Sequence, residues 1–525
     1  MSLLLSVKIL LFPTYRSTDF DVHRNWLAIT HHLPLKEWYF NDVNGTTVHT
    51  LDYPPSFAFF EYILSKNMIT KSLISKGWVD PRCFALLGDD DNDVGIDCVI
   101  FQRGTVIISD VILILGAYIM SSAMIHDKDG NAKQYNDLNL VMMNSGLLML
   151  DHIHFQYNGM LLGILLASLG CIMISIRKYE EHKVNMFLYD WMGAVLFALL
   201  VTLKHLYITL APAYFFYLLR RCCFIRNASS SRLKFSFTRF VCLVVSVGMV
   251  IAIPFVPFAF HGKDQMIQIF RRLFPFQRGL CHDYWAGNVW ALYMSIEKVV
   301  RFISRRILRM NQILNLPELT PLQVAIILLV SLIPGMKSAW KAASIQDSSA
   351  EQQTLFVLSI VYSSLSSFMF GYHVHEKAIM TAVIPLIFLS FRSLPLARLF
   401  LRLCTVGHYG LLPLLFRPQE TLLKILLHST YFTLSYFILK HAHDDAIDGR
   451  DTLDDQKPFQ LVTMYDKLGV WFLGLVLIYS DIIHPLFSVE TMEFLPLMLI
   501  SFTCACLLLE CWRESLVILS KGGIK

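Results

Sequence analysis

The chain has 525 residues, 55% hydrophobic and only 16% charged, with a mean hydropathy of +0.51, a balance that excludes a soluble globular domain and indicates a membrane protein. A formal net charge of +5, scattered over loop positions, argues against a nucleic-acid partner. Eleven cysteines, an odd number lying mostly in apolar runs such as those holding Cys171, Cys242, Cys504 and Cys506, exclude a disulfide framework.

The apolar opening, Met1 to Phe12, is too short to cross a bilayer and lacks the cationic start and cleavage site of a secretory signal, so it reads as a truncated first span. A long loop follows, 14–97, acid-rich at Asp89, Asp90, Asp91 and Asp93. Within it, Thr18 with Asp21 three residues on resembles a capping box, and Val22, Trp26 and Ile29 at helical spacing predict a short amphipathic helix on the membrane surface. Pro34, Gly45 and Pro54-Pro55 break the chain before the aromatic-rich stretch 56–64, which predicts a second interfacial helix. Apolar runs long enough to span follow at 98–122, 159–176, 187–203, 236–260, 321–339, 353–371, 421–439, 468–486 and 493–512. Shorter candidates at 138–150, 205–219, 378–391 and 403–416 bring the expectation to about ten to fourteen transmembrane helices. No internal repeat or low-complexity tract interrupts them, so 1–525 reads as one all-α polytopic membrane domain.

Sidedness follows from the basic loops. Arg177-Lys178, the stretch from Arg220 to Lys234, and Arg392 with Arg398 and Arg402 read as cytosolic, which puts the first loop, 14–97, on the lumenal side. Segments 151–158, 261–288 and 372–377 are expected there too. Of two glycosylation sequons, Asn44 falls on the lumenal side and Asn227 in a cytosolic cluster, so a glycan is expected only on Asn44. Parity then requires that 288–310 not cross fully, or that its arginines (Arg301, Arg305, Arg306, Arg309) sit lumenally against the rule. Cys83 and Cys98 can pair if their loop is lumenal. The His441 to Asp445 run superficially suggests a metal site but opens a polar stretch to Lys457 and reads as a solvated linker.

An ionisable group held near lipid is costly and usually functional. Five polar clusters stand out: 18–24, 51–55, 151–158, 274–285 and 371–377. Together they offer carboxylates, imidazoles, cations and aromatic rings, a lining suited to a sugar and a phosphate. Simpler readings exist for each. Asp19 can be a helix cap, Pro54-Pro55 a turn, and His373-Val374-His375 a polar pair or proton relay, so the residues alone leave a transporter and a lipid-substrate enzyme both open.

The strings T-D-F-D-V-H-R-N-W-L-A-I-T (18–30), L-D-Y-P-P (51–55), D-H-I-H-F-Q-Y-N-G (151–159), F-P-F-Q-R-G-L (274–280) and H-V-H-E-K-A (373–378) occur in one order over most of the first 380 residues. In these the chain resembles the eukaryotic glucosyltransferases of asparagine-linked glycosylation that use dolichyl-phosphate-glucose. The remainder resembles them mainly as hydrophobic spans. Of the family's two closely related branches, 18–30, 282–288 and Lys204-His205-Leu206-Tyr207 with Ala211-Pro212-Ala213-Tyr214 are similar to the one adding the second glucose. Asp21 departs from the family's usual Glu.

The resemblance implies a GT-C type fold, residence in the endoplasmic reticulum membrane with a lumenal site, and an inverting reaction needing no metal or other cofactor. It implies a dolichyl-phosphate-glucose donor and a lipid-linked acceptor, Glc1Man9GlcNAc2 on diphosphodolichol, joined through an α-1,3 bond. Alternatives are first-glucose transfer to the Man9 acceptor and, from another class, a proton-coupled transporter with Asp19, His152 and His373 as relays. A β-linked donor and an α-linked product call for one in-line displacement with a carboxylate base. The phosphate leaves as an anion, so cations replace a general acid. By match to the family, Asp19 is the expected base, with Asp21 holding the acceptor or orienting Asp19. Arg24, His373, His375 and Lys377 are candidates for the donor phosphate, and Glu376 for orienting a histidine. Asp52, Tyr53, His152, His154, Gln156, Tyr157, Arg278 and Trp285 are expected to line donor or acceptor.

Overall fold

The computed structural model describes residues 2–40, 49–86, 95–124, 130–182, 186–227, 230–282, 284–307, 315–344, 348–448, 460–487 and 494–522. Asn44 and the acidic run at 89–93 lie outside the described residues, as do Ala228 and Ser229 of the second sequon. In chain order the first half holds α1 (Ser2–Leu10), α2 (Thr18–His32), α3 (Pro55–Lys66), α4 (Met68–Ser75), α5 (Ile96–Met124), α6 (Gly130–Met142), α7 (Ser145–Leu147), α8 (Asn158–His182), α9 (Phe187–Leu203) and α10 (Ala211–Leu218). A small antiparallel hairpin, β1 (Phe224–Asn227) with β2 (Ser230–Phe235), pairs Phe224 with Phe235 within the basic cluster. Then come α11 (Phe237–Ala252), α12 (Val256–Ala259) and α13 (Lys263–Leu273). The second half holds α14 (Val289–Phe302), α15 (Pro321–Ala342), α16 (Ser349–Phe370), α17 (Met380–Ser390), α18 (Leu394–Tyr409), α19 (Thr421–Asp448), α20 (Met464–Ile478), α21 (His484–Leu486) and α22 (Leu495–Ser520).

The chain folds into two compact units: Met1–Met143, Leu147–Ala211 and Leu218–Pro275 form one, and Asn144–Gly146, Pro212–Tyr217 and Phe276–Lys525 the other. In the first, α5 lies along α8, which packs on α9 in turn, and α9 is flanked by α3 and α11. Gly116 and Gly163 let the α5 and α8 backbones meet: a Cβ added at Gly116 would stand 2.0 Å from the Gly163 carbonyl oxygen. In the second unit α16 is central, packed against α15, α17 and α22. Its start is capped by the Ser348 hydroxyl, which accepts from the Glu351 N–H.

Among the described residues, eight helices are long and apolar enough to cross a membrane, and α9 is an apolar 17-residue helix. The shorter candidates at 138–150, 205–219, 378–391 and 403–416 are helical in broken or shorter pieces, so the expected ten to fourteen spans requires counting them. Burial sorts the eight. About nine-tenths of the apolar window is buried in α8 (89%) and α16 (94%), against 11% in the helix through Phe237–Ala259 and in that through Met464–Leu486, so the latter two present their apolar sides outward to lipid. The basic segment forms a 14-residue helix, Val289–Phe302, running into a π turn, Ile303–Ile307, and with Glu297, Lys298, Arg301 and Arg305 it is too charged to stand among the eight.

Three expectations change. Helix α2 does not keep an exposed polar face, because every residue from His23 to Thr30 is buried within the protein. Nor does it begin with a capping box: Ser17 is the N-cap and makes no side-chain cap bond, its hydroxyl donating instead to the His154 carbonyl, a tertiary acceptor the local pattern could not reveal. The His441 to Asp445 run is not a linker either but the last turns of α19, with His443 Nε2 3.0 Å from the Ser390 carbonyl oxygen.

Cys83 and Cys98 form a disulfide with Cα atoms 5.4 Å apart, tying the end of the long loop to the first turn of α5. The bridge is buried beside Leu27, Val79 and Phe84. Replacing both cysteines by serine is expected to lower stability by about 3 kcal/mol, the loop-entropy value for a closure of this length. Thermal unfolding in detergent measures the loss, and maleimide labelling that reaches these two thiols only after denaturation and reduction confirms the bond.

Candidate active site

In the first unit, the amino terminus of α2 presents Asp19 to a turn of chain between α7 and α8. Two residues of that turn converge on its carboxylate: Gln156 Nε2 donates to Oδ2 at 2.5 Å, and His154 Nε2 lies 3.3 Å from the same oxygen. Along a helix, side chains at i and i+2 point in different directions. Here both reach Asp19, and Phe155 between them is left-handed, with φ at 80°. Such a conformation costs a non-glycine residue about 1–2 kcal/mol. Burial of the Phe155 ring against Phe20, His23 and Tyr157 offsets that cost.

The polar groups behind Asp19 form a directed chain. Lys204, at the carboxyl end of α9, donates from Nζ to Asn158 Oδ1 at 3.2 Å. Asn158 Nδ2 donates to Gln156 Oε1 at 2.8 Å, and Gln156 donates to Asp19. An ammonium can only donate and a carboxylate can only accept, so the ends set the orientation of both amides between them. His154 follows the same logic. With Nε2–H facing the carboxylate, Nδ1 accepts from the Tyr15 hydroxyl 3.2 Å away. Asp151 anchors the arrangement from beneath, accepting from Asn158 N at 3.1 Å, Asn158 Nδ2 at 2.9 Å and Gly159 N at 2.6 Å, at the first turn of α8. Burial pushes its carboxyl up to about 7, and Asp110 adds to the rise while the Gly159 N–H opposes it.

Asp21, one turn into α2, is half-buried and has its carboxyl pushed up by burial, opposed by Arg24, whose Nε lies 3.9 Å away. The aromatic wall consists of Trp26, Tyr53, Phe57 and Tyr157 around the His23 ring. Lys204 Nζ stands 5.1 Å from the Tyr53 ring centre, a cation over an aromatic face. His23 Nδ1 is 2.9 Å from Glu61 Oε1, both buried, and burial holds the Glu61 carboxyl above its ordinary range. Asp52 is half-buried next to Tyr53, whose carbonyl accepts from the Tyr39 hydroxyl at 2.8 Å.

The structure therefore joins Asp19 with His154 and Gln156, and Asp21 with Arg24. It directs other expected residues elsewhere. His152 Nε2 lies 3.1 Å from Asp110 Oδ2, an oxygen also held by Lys8 at 2.6 Å. The Tyr157 hydroxyl bonds to Thr105 at 2.7 Å, so its ring, not its oxygen, is what the wall uses.

The second unit carries its own cluster. His282, His373 and His375 lie with ring centres 3.9–5.9 Å apart. His373 is left-handed, with φ at 51°; its N–H donates to the Leu280 carbonyl at 2.9 Å, and its Nδ1 lies 3.0 Å from the Gly279 carbonyl oxygen. That stitches the 274–285 and 371–377 strings together. Buried Glu376 lies 4.0 Å from His282 Nδ1, and one ligand atom each from His282, His375 and Glu376 falls within 4.8 Å of the others, a spacing that can hold a cation. Lys377 is half-buried and Arg278 exposed. Trp285 lies 5.6 Å beneath Lys298, and its carbonyl accepts from the Ser501 hydroxyl at 2.6 Å.

Sequence reasoning passed over Glu61, Asp110, Arg103 and Lys8. A signal existed for the middle two, since each is a charge inside the 98–122 apolar run. Asn158, His282 and Lys204 stood inside strings already singled out, but nothing local marked them as partners of other polar residues.

Apolar helices long enough to cross a bilayer define the class, a multi-pass membrane protein. The chain belongs to the ALG6, ALG8 glycosyltransferase family, which it matches over residues 4–514. It is similar to the protein of Arabidopsis thaliana named dolichyl pyrophosphate Glc1Man9GlcNAc2 alpha-1,3-glucosyltransferase, 37% identical over 97% of this chain and 94% of that one. Its similarity to the proteins of the same name from Bos taurus and Mus musculus is 36% and 35% identity, each over 97% of this chain and 92% of the relative.

Proposed function

We propose that the protein transfers glucose from dolichyl-phosphate-glucose to Glc1Man9GlcNAc2-diphosphodolichol with inversion, forming an α-1,3 linkage, at the lumenal face of the endoplasmic reticulum membrane. The observation that carries the reaction is Asp19 held by His154 and Gln156 at the amino terminus of α2. The substrates rest on the names of the relatives. The Cys83–Cys98 bridge supports the lumenal side, because such bonds persist in oxidising compartments.

In this reading the acceptor hydroxyl gives its proton to Asp19 as its oxygen attacks the anomeric carbon of glucose. The bond from that carbon to the phosphate oxygen breaks, and dolichyl phosphate leaves with the electron pair. Two hydrogen-bond donors on Asp19 keep it aimed. In a transition state rich in oxocarbenium character the hydroxyl need only be deprotonated late. Asp21, the other carboxylate of that turn, is assigned to the acceptor. His373, His375 and Lys377, with Arg278, are assigned to the donor phosphate, and Glu376 to orienting the histidines. Arg24 is assigned to Asp21, towards which its guanidinium turns.

Purified protein in lipid nanodiscs, supplied with dolichyl-phosphate-glucose and each synthetic acceptor, tests the assignment. Glucose is expected on the Glc1Man9 acceptor only. Transfer to Man9 alone makes it the first-glucose enzyme, and folded protein that transfers to neither restores the transporter.

A further inference from the structure

Asp19 and the turn that holds it come from segments more than 130 residues apart, so something must set their mutual position. Arg103, on the second turn of α5, is 1% exposed and reaches both. Its Nη1 donates to the carbonyls of Leu11 and Phe12, each at 2.6 Å, and to Thr14 Oγ1 at 2.8 Å. Its Nη2 donates to the Tyr15 carbonyl at 2.9 Å and the Ile153 carbonyl at 3.0 Å. The first contacts neutralise carbonyls at the end of α1, where the helix dipole is negative. The Nη2 pair lies four residues before Asp19 and one residue before His154.

We infer that Arg103 is a positioning residue for catalysis: one guanidinium clamps the root of α2 to the root of the 154–156 turn and thereby sets Asp19 against His154 and Gln156. The inference rests on Asp19 being the base. A buried cation in a membrane protein is costly, and burial here is compensated by backbone carbonyls that other donors could satisfy less expensively. What a smaller donor cannot do is hold two separate segments at fixed spacing. The guanidinium is planar and forked, its two terminal nitrogens a fixed distance apart, whereas lysine offers three protons from one atom. Two further stitches run in parallel, Tyr15 hydroxyl to His154 Nδ1 and Ser17 hydroxyl to the His154 carbonyl, and both start from the segment Arg103 holds.

The test is steady-state kinetics of Arg103→Lys, corrected for folded fraction. A misplacement of reacting groups by about 1 Å costs up to 10²-fold, so kcat is expected to fall about 30-fold while both KM values stay within about twofold. In a Gln156→Ala background, where one of the positioned contacts is already gone, the same change is expected to cost less than about threefold further. Loss confined to KM, single-variant losses that multiply in the double variant, or turnover per folded molecule within about twofold of wild type each overturn the inference. If Arg103→Lys does not fold, Thr14→Val removes one acceptor of the clamp, with kcat expected to drop about threefold at unchanged KM. Unchanged kcat in that variant leaves Arg103 purely structural. An active Asp19→Asn enzyme sinks the base assignment and this inference together, whereas an inactive one beside a fully active Arg103→Lys sinks the inference alone.

Discussion

Asp19→Asn is expected to reduce kcat by about 10³-fold, within the 10²–10⁴ range of a positioned general base, with the donor KM nearly unchanged. The substitution is close to isosteric, and its amide oxygen still accepts from Gln156 Nε2, so the hydrogen-bonded turn is retained while the proton acceptor is lost. Binding of the donor, measured by tritiated dolichyl-phosphate-glucose retention on the folded variant, is expected to persist. Turnover near that of wild type moves the base to Asp21 or Asp52. Gln156→Ala is the companion measurement, because it leaves the carboxylate in place and removes only one donor.

Gly116→Ala is the substitution expected to be most damaging to the fold. Its Cβ meets the Gly163 carbonyl oxygen at 2.0 Å, the carbonyl carbon at 2.7 Å and Cα at 2.9 Å, all backbone atoms that no rotamer change can move aside. In lipid, helices associate largely through close backbone packing, so prying α5 from α8 removes the interaction that pairs them. A loss on the order of 3 kcal/mol or more is expected for such overpacking, read as the fraction of protein surviving detergent extraction as a monodisperse peak. Gly104→Ala is the control on the same helix, because a Cβ there meets nothing within 4 Å. It should be neutral or mildly stabilising from the better helix propensity of alanine. Equal yields of the two variants would mean that the α5 and α8 contact is looser than it stands here. Separation would also reach the site, since α5 carries Arg103 and Asp110 while α8 begins at Asn158.

Much of this was legible in the residues. Spans show themselves because a bilayer requires long uninterrupted apolar helices, a property that hydropathy reads directly. The strings 18–24, 51–55, 151–158, 274–285 and 371–377 show themselves because polar residues near lipid need a reason. Proline at 55 marked the start of α3, where its fixed φ and missing N–H cost nothing. The capping box at Thr18 failed for the opposite reason: local spacing predicted a local partner, and the Ser17 hydroxyl found a tertiary one. The burial of α2 within the protein was hidden likewise, since its polar residues His23 and Arg24 are matched by Glu61 and Asp21, and amphipathicity read alone sends such residues to water.

The sequence by itself determined that the chain is a polytopic helical membrane protein, which residues carry ionisable chemistry, and which family it resembles, because composition and ordered strings are properties of the chain alone. Only the tertiary structure decided which oxygen of which carboxylate meets which donor. Gln156 and Asp19 are separated by 137 residues, and their contact depends on a left-handed Phe155 and on helices α5 and α8 touching backbone to backbone. Those are distances set by packing in three dimensions, and linear spacing carries no record of them.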